Sequence, residues 1–166
     1  STVCRECGSA VADDGFCSVC GKRAPTARDH WPETPTDWVG GVCDKGIVHA
    51  RNEDAMALSA LADRSLAVLV VCDGVTSAPE SDRAALAAAR IACSTLSTSP
   101  LPNGVGVAAT VSHWSAVITR SCLDANAAAV GVARSLGNPS EPPSCTFVAA
   151  VLHGDVVTLG WCGDSR

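Results

Sequence analysis

The residues best equipped for chemistry form two sets, one of sulfur and one of oxygen. Cys4, Cys7, Cys17 and Cys20 lie in CRECGSAVADDGFCSVCG as two Cys-x-x-Cys pairs. Such a pair presents both thiolates to one tetrahedral ion, and two pairs close a four-sulfur shell with no open position. The expected occupant is one structural Zn2+; two disulfides or a redox pair are the competing readings. Gly8 and Gly21, each directly after a pair, permit the tight turn that brings backbone amides near the sulfurs. The nine residues between the pairs suit a short hairpin turning at Asp14-Gly15, with Phe16 as a small apolar plug. So short a segment cannot bury enough surface to fold alone, so the metal must supply its stability. The oxygen set is Asn52-Glu53-Asp54, Asp73-Gly74 and Gly163-Asp164-Ser165, each at the edge of an apolar run. Hard divalent cations take carboxylate, carbonyl and water oxygens, and a glycine lets its carbonyl approach an ion closely. Taken singly, an Asp-Gly after a strand is more often a turn.

The elements that must hold these residues are legible around them. Residues 1–24 form the ribbon. KRAPTARDHWPETPTDW, rich in Pro, Thr and charge, is expected as an exposed linker over 25–37. The remaining 38–166 form one domain. Trp38–Cys43 and Ala55–Leu61 are expected strands, and SLAVLVVCDG is apolar on both faces, as a strand in the middle of a layered structure is. A helix is expected from Pro79-Glu80-Ser81 to Thr95, with Ala84, Ala88 and Ile91 on its inner face. A longer one spans Val107 to Ser135, its face drawn through Val107, Val111, Trp114, Ile118, Cys122, Ala125, Ala129 and Val132. CTFVAAVLHGDVVTLGWCG is a hairpin turning at Gly154-Asp155. Strands grouped in this way give an α+β fold of antiparallel sheet with helices outside.

Composition narrows the function classes. A net charge of −5 with no basic stripe argues against a nucleic-acid or anionic-membrane partner. The longest clean apolar run, Leu66 to Cys72, is too short to cross a bilayer. The first residues carry no basic-then-apolar signal, and the protein is expected to be cytoplasmic. The six cysteines outside the ribbon (Cys43, Cys72, Cys93, Cys122, Cys145 and Cys162) lie singly in apolar surroundings and are expected as small core hydrophobes.

Together and in this order, GIVHARNEDA, LVVCDG, SCTFVAAVL and GDSR resemble the metal-dependent PPM-type (type 2C) serine/threonine protein phosphatases. The resemblance covers about Trp38 to Arg166. It implies an αββα sandwich of two antiparallel sheets flanked by helices, with two Mg2+ or Mn2+ ions at one end. These ions would hold a water that attacks phosphorus in line, with no phosphoenzyme. Carried over residue by residue, Asp73 bridges both ions, Gly74 gives a carbonyl ligand, and Glu53 and Asp54 bind metal-coordinated waters. Asp164 matches a position that helps hold a weaker third ion in some members. The ribbon similarly resembles short terminal zinc ribbons, which implies either a stabilised knob or a docking module for a protein partner.

The chain also departs from the family pattern. Many members carry an arginine, which clamps the substrate phosphate, where this chain has His49. Phosphate contact therefore falls either to His49 or to Arg51 reaching round. After Asp73-Gly74 stand Val75-Thr76-Ser77, with no histidine to protonate a leaving group. The family's further strands and two more aspartate ligands have no counterpart before Arg166, so the sandwich is expected to be incomplete at the C-terminus and inactive without that segment. Two functions follow: hydrolysis of phosphoserine or phosphothreonine in a protein substrate, or a non-catalytic adaptor or pseudophosphatase that binds a partner.

Overall fold

The computed structural model describes residues 3–104 and 106–165; Arg166, the last residue of the GDSR motif, lies outside them. In chain order the elements are β1 (His30–Thr36), β2 (Val39–Asp44), β3 (Ala55–Ala60), β4 (Leu66–Cys72), α1 (Ser81–Ser97), α2 (Val107–Ser135), β5 (Phe147–His153) and β6 (Val156–Cys162). The expected elements all form, and α2 has the expected bounds. Strands β3-β4-β5-β6 make one antiparallel sheet and β1-β2 a second, so the fold is α+β with two antiparallel sheets. None of the described helices is long and apolar enough to cross a membrane.

One face of the larger sheet carries Ala55, Ala57, Val68, Val70, Cys72, Ala149 and Val151, all buried against α1 and α2. Alanines 84, 85, 88, 89 and 92 form the inner stripe of α1, and their small side chains let helix and sheet approach closely. Leu96 and Trp114 are fully buried and fill the space these alanines leave. The expected faces need adjustment at their edges. Ile91, Val107 and Val111 are exposed, and the buried line of α2 runs instead through Thr110, Trp114, Ile118, Ser121, Ala125, Ala129 and Ala133. Polar Thr110 and Ser121 are tolerated inside because their hydroxyls bond carbonyls of their own helix, Gly106 and Ile118. Of the cysteines expected in the core, Cys43, Cys72 and Cys93 are buried, Cys122 and Cys145 are half-buried, and Cys162 is exposed on edge strand β6.

The linker expected over 25–37 is instead mostly strand. Pro32 and Pro35 fall within β1, where a missing N–H is harmless because β1 is an edge strand with only β2 as neighbour. The β1-β2 sheet lies over the β3 side of the larger sheet: Gly41 is so close to Met56 and Leu58 that a Cβ there would come within 2.9 Å of Met56 Sδ. Trp38 Nε1 donates to Leu61 O at 2.9 Å, and Leu58 N donates to Glu33 Oε2 at 2.9 Å, which ties the ribbon of strands to the β3 edge. The rest of that face is uncovered. Leu69, Val71, Val157, Leu159 and Trp161 share it and are 37–60% exposed.

Candidate metal centres

The ribbon assembles its four sulfurs. Gly8 N donates to Cys4 O at 3.0 Å and Gly21 N to Cys17 O at 2.9 Å, and both glycines take the positive φ that such turns need. The hairpin turns as expected at Asp14-Gly15, with Phe16 N on Asp14 Oδ1 at 2.9 Å, but Phe16 itself is half exposed. All four Sγ atoms lie within 4.8 Å of one another. Cys4 and Cys20 are 3.6 Å apart and Cys7 and Cys17 3.4 Å, close to the ~3.8 Å edge of a tetrahedron with zinc–sulfur bonds of ~2.3 Å. Hydrogen bonds from Ser9 bring the Cys7 thiol down to about 6, and the backbone amides of Cys20 and Val19 lower Cys17. Cys20 moves the other way, to about 12: a bond from the Lys22 backbone lowers it, but burial and the three neighbouring thiols outweigh that. Four sulfurs so close cannot all ionise without a cation among them, and a closed soft-ligand cage fits Zn2+.

The oxygen site forms where β3 begins and β4 ends. Antiparallel pairing sets Ala55 opposite Cys72, so the next step of the register sets Asp54 against Asp73. Burial raises the Asp54 pKa, and the adjacent carboxylates of Asp73 and Glu53 raise it further. That is the electrostatic signature of a place that favours a cation. Gly74 is buried, and a Cβ on it would stand 2.5 Å from Glu53 O and 2.9 Å from Ser81 O. Only glycine lets the Asp73-Gly74 backbone pass there. Thr146, just before β5, clamps this segment: its N donates to Asp73 O at 2.8 Å, and its Oγ1 accepts from Asp73 N at 3.0 Å.

The remaining expected residues occupy different positions around this mouth. Lys45, His49, Arg51, Asn52, Glu53, Asp54, Asp73 and Thr76 line one cleft of about 230 Å3. His49 is exposed in it. Arg51 donates through Nε to Glu53 Oε1 at 3.0 Å and through a terminal nitrogen to Ala78 O at 3.3 Å. Thr76 Oγ1 takes the other Glu53 oxygen at 3.0 Å. Asp164 is exposed on the turn after β6, and its neighbour Ser165 meets Thr146 Oγ1 at 2.7 Å, linking that turn to the Asp73 clamp. Among the described residues, the cysteines are the only group of three or more metal-binding side chains packed to within 4.8 Å.

Sequence reasoning missed the residues that brace the mouth. Arg28, in the segment expected as linker, donates to Asp54 O at 3.0 Å and Asp82 O at 3.4 Å, and its guanidinium stacks 4.2 Å from the Trp31 ring centre. Asn52 is buried, donates to Arg28 O at 3.0 Å and accepts from Asp54 N at 3.2 Å. The only available signal was Asn52 itself, a turn-forming side chain two residues before the acid it positions.

A family model described as protein phosphatase 2C matches residues 47–166. No curated protein matches the chain. The match spans both carboxylate-bearing strand ends, the helix pair and the Thr146 clamp, while the ribbon and β1-β2 precede it. With the register that sets Asp54 beside Asp73, it shows that the chain belongs to the protein phosphatase 2C family.

Proposed function

We propose that the protein dephosphorylates phosphoserine and phosphothreonine in protein substrates at a dinuclear Mg2+ or Mn2+ centre in the β3-β4 mouth. The apposition of Asp54 and Asp73, which raises the Asp54 pKa, carries this reading. Asp73 and the Gly74 carbonyl would hold the ions, Glu53 and Asp54 would act through water on them, and Asp164 would support a weaker third ion. Bound there, the ions lower the pKa of water and neutralise charge on the phosphoryl group. Arg51 is engaged by Glu53 and Ala78, so it positions Glu53, and the freer His49 contacts the phosphate. The ribbon's zinc is structural. With all ten cysteines free of disulfides, a reducing compartment suits the protein, and we place it in the cytoplasm.

The same reading accounts for the open face of β4, β5 and β6. An apolar surface of this extent calls for cover, and in the family sandwich it would lie against a second antiparallel sheet. A second reading, an adaptor or pseudophosphatase, is favoured by the engagement of Glu53 with Arg51 and Thr76.

Phosphate release from a phosphothreonine peptide separates the two. It should require Mn2+ or Mg2+ and fall by about 100-fold or more in Asp73→Ala. Hydrolysis that survives chelation, or survives in Asp73→Ala, overturns the assignment of this centre. Peptide binding with no turnover under any metal condition supports the adaptor.

A further inference from the structure

A second cleft opens beside the phosphatase mouth, between the zinc ribbon and the loop joining β2 to β3. It has a volume of about 580 Å3 and is lined from the ribbon side by Arg5, Phe16, Lys22 and Arg23 and from the loop by Lys45, Ile47 and His49. Lys45 and His49 also line the mouth with Asp54 and Asp73, so the two clefts adjoin across these residues. The ribbon is held in place across this junction. Arg23 donates to Ala50 O at 2.9 Å and lies 3.9 Å from Asp29, whose own carbonyl accepts from Lys45 N at 2.9 Å.

The charge of this cleft is opposite to that of the molecule. Arg5, Lys22, Arg23 and Lys45 stand against Glu6 and Asp29, on a chain whose net charge is −5. Asp29 is buried and bonded to Thr26 as well as Arg23, which leaves Glu6 as the one exposed acid. Arg5 and Lys22 are exposed and make no ion pair among the described residues, and the Lys45 ammonium bonds only the His49 carbonyl, at 3.3 Å. These cations therefore do not serve to pair with the protein's own acids. Phe16 and Ile47, the latter fully exposed, add an apolar wall.

We propose that this ribbon cleft binds the substrate residues that flank the phosphoamino acid and selects acidic ones. The inference rests on the reading of the neighbouring mouth as a phosphatase site. A phosphoryl group seated near Asp73 and His49 leaves its peptide to run out over Lys45 and Ile47 towards Arg5 and Lys22. Acidic flanking residues meet Arg5, Lys22 and Lys45 there, whereas basic ones meet like charge. The ribbon thus contributes part of the substrate platform, and its zinc acts at a distance by holding Arg5 and Lys22 in position. Four cations on an acidic chain suit a short acidic peptide; a nucleic acid would call for a longer basic stripe.

The test uses the full-length protein, Mn2+ and fluorescent phosphoserine peptides flanked either by Asp and Glu or by Lys, with binding followed by anisotropy. At about 50 mM salt the acidic peptide should bind roughly tenfold more tightly, and the advantage should shrink several-fold by about 500 mM. Arg5→Glu with Lys22→Glu should abolish or reverse the preference while zinc content and hydrolysis of p-nitrophenyl phosphate stay unchanged. The milder Arg5→Gln with Lys22→Gln should weaken the preference if the reversal disturbs folding. Equal affinity for both peptides, or undiminished preference in both double variants, overturns the proposal, as does tighter binding of oligouridylate than of either peptide. Metal-dependent p-nitrophenyl phosphate hydrolysis without peptide preference sinks this inference alone. Preference without any hydrolysis sinks the phosphatase reading and leaves the cleft as a binding site for acidic phosphopeptides.

Discussion

The ribbon and the β3-β4 mouth both gather like-charged ligands, and they do so by different means. In the ribbon, two short turns of near-identical geometry deliver four sulfurs to one point, and hydrogen bonds from Ser9 to Cys7 and from the Cys20 and Val19 amides to Cys17 favour the thiolate form of those two. In the mouth, strand register brings only Asp54 and Asp73 together, and Glu53 is turned to Arg51 and Thr76. A closed site can be encoded locally because every ligand belongs to one small hairpin. An open site for exchangeable hard ions needs ligands spaced apart, with water and substrate completing the shell. Its precision must come from braces in distant parts of the chain.

The largest test of this contrast removes one ribbon ligand. Cys17→Ser takes away a buried thiolate that also accepts hydrogen bonds from Val19 and Cys20. Zinc supplies on the order of 10 kcal/mol to sites of this kind, far more than so small a core, so residues before Pro25 should unfold. Elemental analysis should show the loss of about one zinc per chain. Hydrogen exchange in β3–β6 should change little, because among the described residues the side-chain bonds from ribbon to body are those Arg23 makes. Full zinc retention would break the four-thiolate assignment.

The mouth should respond instead to loss of a remote brace. Arg28 is partly buried, burial lowers its pKa, and it bonds the carbonyls of Asp54 and Asp82. Arg28→Ala strips partners from those carbonyls and the stacking from Trp31, a cost of about 1–3 kcal/mol. Thermal melting should fall accordingly. Mn2+ titration should show weaker binding although no ligand has changed, and an unaltered affinity would show that Arg28 supports the fold without positioning the site.

How legible each region was follows from the same difference. The ribbon could be read from spacing because its ligands are local, and α2, β4 and the β5-β6 hairpin because their apolar periodicity dominates. The acids of the mouth stood out within Asn52-Glu53-Asp54 and Asp73-Gly74, yet that Asp54 and Asp73 face each other depends on the register of Ala55 with Cys72, which no local pattern states. β1 was hidden by Pro32 and Pro35, residues that mark a linker except at a sheet edge. Arg28 was hidden with it. The exposure of Ile91 reflects which way a helix is rotated, which a small-residue stripe such as that of α1 leaves weakly determined, whereas Cys162 faces the helices beside Phe147 and is exposed because it ends an edge strand.

A smaller and opposite effect should come from Asp54. Its pKa is raised, so in the metal-free protein the ionised form is disfavoured relative to the unfolded chain. Stability should therefore be greatest below the unfolded value, fall as pH rises from there through the raised pKa, and stay level above it. Asp54→Asn removes the repulsion from Asp73 and Glu53 and should stabilise the metal-free protein by up to about 1 kcal/mol at neutral pH. The same change should weaken Mn2+ binding, so the variant melts higher without metal and gains less from adding it. A lower melting temperature for metal-free Asp54→Asn would show that Asp54 is held by a structural partner and not strained by its neighbours.

The smallest effect concerns a carboxylate placed in the opposite way. Asp44 pairs with His30 across β1-β2, 2.6 Å from its Nδ1, and also accepts from Gly46 N at 2.6 Å. These bonds, that from His30 first, lower its pKa below 3.8. A lowered carboxylate pKa gives stability that is present above the unfolded value and is lost as pH falls through the folded one, the reverse of Asp54. Both partners are exposed, so water screens the pair and the melting temperature should scarcely move. Carboxyl chemical shifts followed through an acid titration are the sensitive readout. In His30→Ala the Asp44 midpoint should rise towards its ordinary value, while the Asp54 midpoint stays high and shifts only when Mn2+ is added. If the Asp44 midpoint does not move in His30→Ala, the Gly46 amide sets it alone. If Mn2+ leaves the Asp54 midpoint unchanged, the carboxylates of the mouth do not hold the ion.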